Sequence, residues 1–263
     1  MSTIHTIIIG IIEGITEFLP ISSTAHMDIA RVLLSIPSTD FIKSFEIIIQ
    51  LGAILAVVVL YAKKVFSSWI YIINLGIAFI PTGIIGFILY KLIKSFLLGN
   101  IWVEAIALLI GGIIIILFET HNSSLNNNED SKESIESMSF KQLIILGIAQ
   151  ALAVIPGVSR SGAVIIAGRS MKINRILITE FSFLLAVPTM LSAALYDIYK
   201  SGFNFSSGDW GTIALGFIVS FLIALVVIKW FLLYIRKHSF KIFGWYRIVL
   251  GIILILALFF KVI

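Results

Sequence analysis

Along this chain, apolar residues come in long runs, without the strict alternation of a half-buried strand or the one-sided stripe of a surface helix. Six runs, at 45–62, 69–90, 101–118, 176–199, 211–235 and 245–262, each approach the ~20 residues that cross ~30 Å of hydrocarbon as a helix. They predict six spanning helices. Two further apolar segments are shorter and carry polar groups: 4–19, with Glu13 and Glu17, and 141–155, which runs into "PGVSRSG". Each stops at a proline, which cannot continue a helix without losing a backbone hydrogen bond.

The two prolines, Pro20 and Pro156, are 136 residues apart, and the same offset aligns "FEIIIQLGAILAVVV" from Phe45 with "FSFLLAVPTMLSAAL" from Phe181. Two more spanning runs follow each. The pattern predicts an all-α, polytopic membrane protein built as an internal repeat: a first half at 1–118, a polar linker at 119–140 and a second half at 141–263. Each half is a broken polar segment followed by three spanning helices. An odd number of crossings inverts the second half, so the broken segments become two re-entrant helix pairs entering from opposite sides and meeting inside the bilayer. Irregular backbone at that depth is tolerated only inside protein or beside a wet cavity.

Composition supports this reading. The 263 residues are 59% hydrophobic and 13% charged, against about a quarter charged in soluble domains, and the mean hydropathy is +1.10. No basic region precedes the first apolar run and no small-residue cleavage site follows it, so a removable signal peptide is not expected. The absence of cysteine removes disulfides, iron–sulfur clusters and thiolate chemistry. A net charge of +5 could suggest nucleic acid, but the basic residues sit at helix ends rather than in one aromatic-laced patch. They read as topology signals. With Lys63 and Lys64 inside, eleven basic residues, Arg247 among them, are cytoplasmic and six, including Arg31, Lys91, Lys94 and Lys200, are outside, as the positive-inside rule favours.

The candidate chemistry lies in the broken segments. Glu13 and Glu17 are one helical turn apart on one face. Two hard oxygen donors in an apolar setting suit Mg²⁺ or Ca²⁺; the competing reading is a protonated glutamate or a water-facing pair. After Pro20 come Ser22, Ser23, Thr24 and His26, with the histidine one turn beyond Ser23, where it could act as acid or base toward that hydroxyl or a phosphate. "PGVSRSG" places Gly157, Ser159, Arg160 and Ser161 at a helix start, a phosphate-binding arrangement with an arginine fork. Arg160 could instead pair with Glu13 or Glu17, and the two readings coexist. Acids in one half and arginine in the other would flank a phosphate or diphosphate on a lipid.

Weaker candidates are Glu46 with Gln50 and Glu180 with Ser182, as supporting groups. Lys229 is expected to snorkel, Asp197 and Glu104 to be interfacial, and Gly83–Gly86 and Gly111–Gly112 to permit close helix contacts. The linker, His121 included, is expected to be a solvated loop.

These motifs resemble the undecaprenyl-diphosphate phosphatase family, the bacitracin-resistance proteins: "EGITEFLPISSTAH" for two acids four apart, Pro-x-Ser-Ser-Thr and a histidine, and "PGVSRSG" for Pro-Gly-x-Ser-Arg-Ser. The resemblance covers most of the chain apart from the linker. It implies a membrane phosphatase that recycles a polyprenyl lipid carrier for cell-wall precursors with Mg²⁺ or Ca²⁺, its site open to the outer face, and a possible homodimer among membrane lipids. It implies metal and diphosphate handling by Glu13 and Glu17, a nucleophile at Ser23, a catalytic histidine at His26, and phosphate binding by Ser159 and Arg160. Two positions depart from the family pattern: Val164 stands where threonine is common and Ala25 where glycine is usual. A polyprenyl-phosphate transporter without hydrolysis is the alternative from another class, since inverted repeats with broken helices are a transporter plan. The Ser23–His26 pair and the glutamates discriminate, because carriage does not need them.

Overall fold

A computed structural model describes residues 1–121, 134–201 and 205–261. Most of the linker, including Lys132, lies outside the described residues. Among the described residues, ten α-helices run in the order α1 Thr3–Thr16, α2 Ser23–Leu33, α3 Asp40–Val65, α4 Trp69–Leu92, α5 Ile101–His121, α6 Phe140–Ala151, α7 Arg160–Ser170, α8 Arg175–Ser201, α9 Ser207–Lys237 and α10 Lys241–Phe259. Among the described residues, six helices are long and apolar enough to cross a membrane: α3, α4, α5, α8, α9 and α10. They match the six predicted runs to within a few residues. The protein is a polytopic all-α membrane protein.

Each half therefore reads short, short, long, long, long. The helix neighbours follow the same plan: α1 packs on α9 of the other half and α6 on α4, while α3 meets α8 and α5 meets α10. Small residues permit these approaches. A Cβ at Gly14 would sit 2.8 Å from the Ser220 carbonyl on α9, and one at Gly147 would strike the Ala78 carbonyl and Pro81 on α4. Gly112 likewise abuts Gly244 across the α5–α10 contact, as expected of the 111–112 pair.

The core lies between the halves, where Phe45, Ile49, Ala53 and Val57 of α3 and Phe181, Phe183 and Leu185 of α8 are fully buried. The outward faces of α4, α9 and α10 instead expose Ile84, Ile88, Leu222, Val226, Val249 and Ile253. A soluble protein would not leave such a belt in water; here it faces acyl chains.

The breaks set the site. α1 ends at Thr16, and α2 begins only after Pro20 and a Ser22 with φ 73°, a region that favours glycine. In the second half the turn uses Gly157 at φ +87°, where a Cβ would come within 2.7 Å of the Glu104 backbone, and Ser159 caps α7 by accepting from the Gly162 amide at 3.2 Å.

Candidate active site

The two breaks touch. Ser161 Oγ donates to the Leu19 carbonyl at 3.1 Å, Ser159 Oγ lies 3.0 Å from Ser161 Oγ, and the Gly157 amide reaches Thr24 Oγ1 at 3.5 Å. At this junction Glu17 receives two donors. Arg160 Nη2 binds its Oε1 at 2.8 Å and Ser23 Oγ its Oε2 at 2.5 Å, and all three side chains are less than a tenth exposed. Arg160 also gives Nη1 to the Ser182 carbonyl at 2.6 Å, while its buried Nε has no hydrogen-bond partner among the described residues. A guanidinium held on two sides with a spare donor is suited to receive an oxyanion.

Six of the ten sequence-predicted site residues, Glu17, Ser22, Ser23, Thr24, Ser159 and Arg160, line one cavity of about 420 Å³. Glu13, His26, Gly157 and Ser161 do not line it. Gly157 shapes the turn and Ser161 ties the hairpins together, so both act through backbone placement. Glu13 lies one turn behind Glu17, with 0% exposure and with neither carboxylate oxygen hydrogen-bonded among the described residues.

The structure places His26 differently from the expectation. Its Nδ1 lies 2.6 Å from the Ser22 carbonyl, which can only accept, so Nδ1 carries a proton, and Nε2 lies 2.7 Å from the Tyr246 hydroxyl. The ring stacks on Tyr246 with centroids 5.6 Å apart. Both ring nitrogens are thus engaged away from Ser23, whose hydroxyl is held by Glu17. The physical reason is the direction of α2: Ser23 opens the helix on its cavity face, and the residue three positions on turns toward α10.

Arg247 is the group that sequence reasoning misassigned. Counted as a cytoplasmic charge, it is 2% exposed and donates to four carbonyls: Pro20 at 3.2 Å, Gly157 at 2.9 Å, Ala107 at 3.0 Å and Leu108 at 3.4 Å. It fastens both hairpin breaks to α5. Gly111 leaves the room, because a Cβ there would strike the guanidinium. An arginine seven residues into an otherwise apolar helix was the available signal.

The remaining candidates fall as follows. Asp197 is 1% exposed, accepts from Ser44 Oγ at 2.7 Å and lines the cavity. Glu104 is fully buried against the Gly157 turn. Gln50 reaches the cavity wall, whereas Glu180 pairs with Lys64 and Ser182 contributes its carbonyl rather than its hydroxyl. Gly83 and Gly86, expected to serve helix contact, line the cavity instead.

The donor set suits a hard divalent ion. Glu13 offers two unpartnered oxygens beside Glu17, and among the described residues no cluster of three or more His, Asp or Glu could hold a metal unaided. Two carboxylates completed by substrate phosphate and water are a usual arrangement for Mg²⁺.

Over residues 6–253 the sequence matches the family described as Bacitracin resistance protein BacA. The chain belongs to this family. It is 50% identical over 253 residues to an undecaprenyl-diphosphatase of Aquifex aeolicus, covering 96% of this chain and 97% of that protein. It is 47% identical to one of Sulfurihydrogenibium sp., covering 96% and 98%, and 46% identical to one of Flavobacterium johnsoniae, covering 99% and 97%. Within this BacA-family chain both departures from the motif fall in apolar packing. Val164 is fully buried in the main core, and Ala25 packs with Ala105, Leu108 and Leu254. Neither position faces the cavity.

Proposed function

We propose that the protein is an integral membrane phosphatase that hydrolyses undecaprenyl diphosphate to undecaprenyl phosphate and inorganic phosphate, returning the lipid carrier to cell-envelope synthesis. One contact set carries this reading: Glu17 holds Ser23 through one carboxylate oxygen at 2.5 Å and Arg160 through the other at 2.8 Å, on the wall of a largely apolar cavity. Transport alone does not call for a hydroxyl hydrogen-bonded to a buried carboxylate. The names of the relatives agree with hydrolysis.

In this mechanism Ser23 Oγ attacks the terminal phosphorus. An O–P bond forms, the serine proton passes to Glu17 Oε2, and the bond from phosphorus to the bridging oxygen breaks, releasing undecaprenyl phosphate. Protonation removes the charge with which Glu17 holds Arg160, so the guanidinium is released to the phosphoryl oxygens as charge develops there. Water then hydrolyses the phosphoserine, with Glu17 taking part in the reverse proton transfer, and inorganic phosphate leaves. His26 orients the Ser22 carbonyl at the base of α2 and is a positioning residue. Glu13 and, before it takes the serine proton, Glu17 would hold Mg²⁺ or Ca²⁺, which when bound would supply positive charge against the diphosphate oxygens.

The re-entrant disposition of the α1–α2 and α6–α7 hairpins, and an outward-facing site in the plasma membrane, belong to the same proposal. The cavity extends to Tyr90, Ile93, Leu98 and Asp197, at the end of α4 and α8 that carries Lys91 and Lys200. With the buried Arg31, Arg169 and Arg247 set aside, and Lys132 outside the described residues, eight basic residues lie at the opposite end against five here, which favours an outer position.

Phosphate release from undecaprenyl diphosphate by the purified protein, with and without EDTA and beside Glu17→Ala, tests the reading. Release that is lost with EDTA and in the variant is expected; no release under any divalent ion rejects it. Near-normal turnover of Ser23→Ala would transfer the attack from serine to a water on Glu17.

A further inference from the structure

The cavity is larger than a diphosphate requires, and its far part has a different character. Beyond Ser23 and Arg160 it runs as a slot between α4 and α8, walled by Phe79, Gly83, Gly86 and Phe87 on one side and Met190 and Ala193 on the other. Its floor is braced. The Gln150 amide of α6, 1% exposed, donates to Thr82 Oγ1 on α4 at 3.1 Å and to Thr189 Oγ1 on α8 at 2.8 Å, which fixes the spacing of the two walls. Toward the outer end, Tyr196 packs edge-on against Tyr90 at 4.5 Å and Phe87 at 5.9 Å.

The slot also reaches the acyl-facing surface. Phe87 is 68% exposed while lining the cavity, and the neighbouring Ile84, Ile88, Leu191 and Leu195 are exposed as well. The gap is kept by missing side chains: among the described residues, a Cβ at Gly86 would meet nothing within 4 Å, and one at Gly83 would meet the Phe79 ring alone, at 3.1 Å. Glycine in the middle of a helix costs about 1 kcal/mol relative to alanine, so an open, unpacked glycine on a cavity wall is explained by the space it leaves.

Resting on the phosphatase reading, we infer that the α4–α8 slot seats the diphosphate-proximal isoprene units of the substrate, and that Gly86 is a specificity-determining position that keeps its lateral mouth open to the bilayer. The occupant follows from continuity. The polar end of the same cavity holds the phosphate-binding groups, and a lipid diphosphate whose head lies there must pass its hydrocarbon along an apolar wall and out into acyl chains. A volume of about 420 Å³ suits a head group and a short length of chain, leaving the rest of a long polyprenyl in the membrane.

A photoreactive farnesyl diphosphate carrying a diazirine on its prenyl chain, irradiated with the full-length protein, is expected to label peptides from 79–93 and 189–197. Labelling confined to α5, α9 or α10 overturns the assignment. In parallel, Gly86→Leu is expected to raise KM for undecaprenyl and farnesyl diphosphates by about tenfold to a hundredfold, the range for excluding small apolar groups from a pocket. Turnover of isopentenyl diphosphate should fall much less. The control is Gly76→Leu, on an exposed face of α4 away from the cavity, which should change neither. Equal loss for long and short substrates, or no change in KM for the long ones, rejects the slot. If Gly86→Leu does not fold, labelling of the unsubstituted protein decides. If the unsubstituted protein releases no phosphate from any substrate, the phosphatase reading fails, while the labelling pattern still reports where a prenyl chain binds.

Discussion

The two hairpins share a frame and differ in how they use it. At the 136-residue offset Ser23 aligns with Ser159, each at the start of the helix after its break. Ser159 spends its hydroxyl on structure: it accepts from the Gly162 amide and lies against Ser161. Ser23 makes no such cap, and its preceding residue Ser22 makes none either, so the Ser23 hydroxyl is left to donate to Glu17. The acids Glu13 and Glu17 align with Ala149 and Ala153, and the second hairpin supplies Arg160 instead. A repeated scaffold thus brings a carboxylate from one hairpin and a guanidinium from the other to one point. A single half would hold a buried charge with no partner, a costly state.

Substitutions at five positions test this contrast, in order of decreasing effect. Glu17→Gln removes the acceptor for the Ser23 proton and the partner of Arg160. Turnover of undecaprenyl diphosphate should fall about a thousandfold or more, within the range for a general base combined with lost positioning. The serine pair comes next. Ser23→Ala should lower kcat by about two to three orders of magnitude at unchanged thermal stability. Ser159→Ala should cost about 1 kcal/mol of stability as a lost helix cap, with a smaller drop in kcat. Equal kcat losses for the two serines would show that the hairpins are not divided as described.

Arg247→Met tests what holds the halves in register. Four carbonyls lose a donor, each at about 1–3 kcal/mol before relaxation, so the melting temperature should drop clearly and kcat should fall with it. Arg247→Lys should recover part of both, since an ammonium reaches fewer carbonyls. Ser22→Gly has the smallest expected effect. It relieves a positive φ worth about 1 kcal/mol or more and should raise the melting temperature slightly, provided the Ser22 contact with Thr24 at 3.1 Å matters less than the backbone.

Much of this was legible in the sequence because hydrophobic run length and proline position are local properties. The six spanning helices, both breaks and the gathering of Glu17, Ser23, Ser159 and Arg160 follow from runs, prolines and an offset. His26 was legible as a polar residue but not as a partner of Tyr246, which lies 220 residues away. Arg247 was visible as a charge in an apolar helix, and counting it among the topology signals overlooked the depth at which it lies. Gly83 and Gly86 look the same in sequence whether they serve a helix contact, as Gly111 and Gly112 do, or an opening. Only the neighbour on the other side distinguishes them.

By itself, the sequence determined that this is a helical membrane protein with two interrupted segments carrying acids, hydroxyls and an arginine, because a bilayer leaves few ways to satisfy an apolar backbone. The tertiary structure decided which of those groups meet. It gave Glu17 both Ser23 and Arg160, turned His26 toward α10, and set Arg247 across the two breaks. These outcomes depend on helix rotation and on contacts between distant parts of the chain, where a difference of one residue in register moves a side chain by about 100° around its helix.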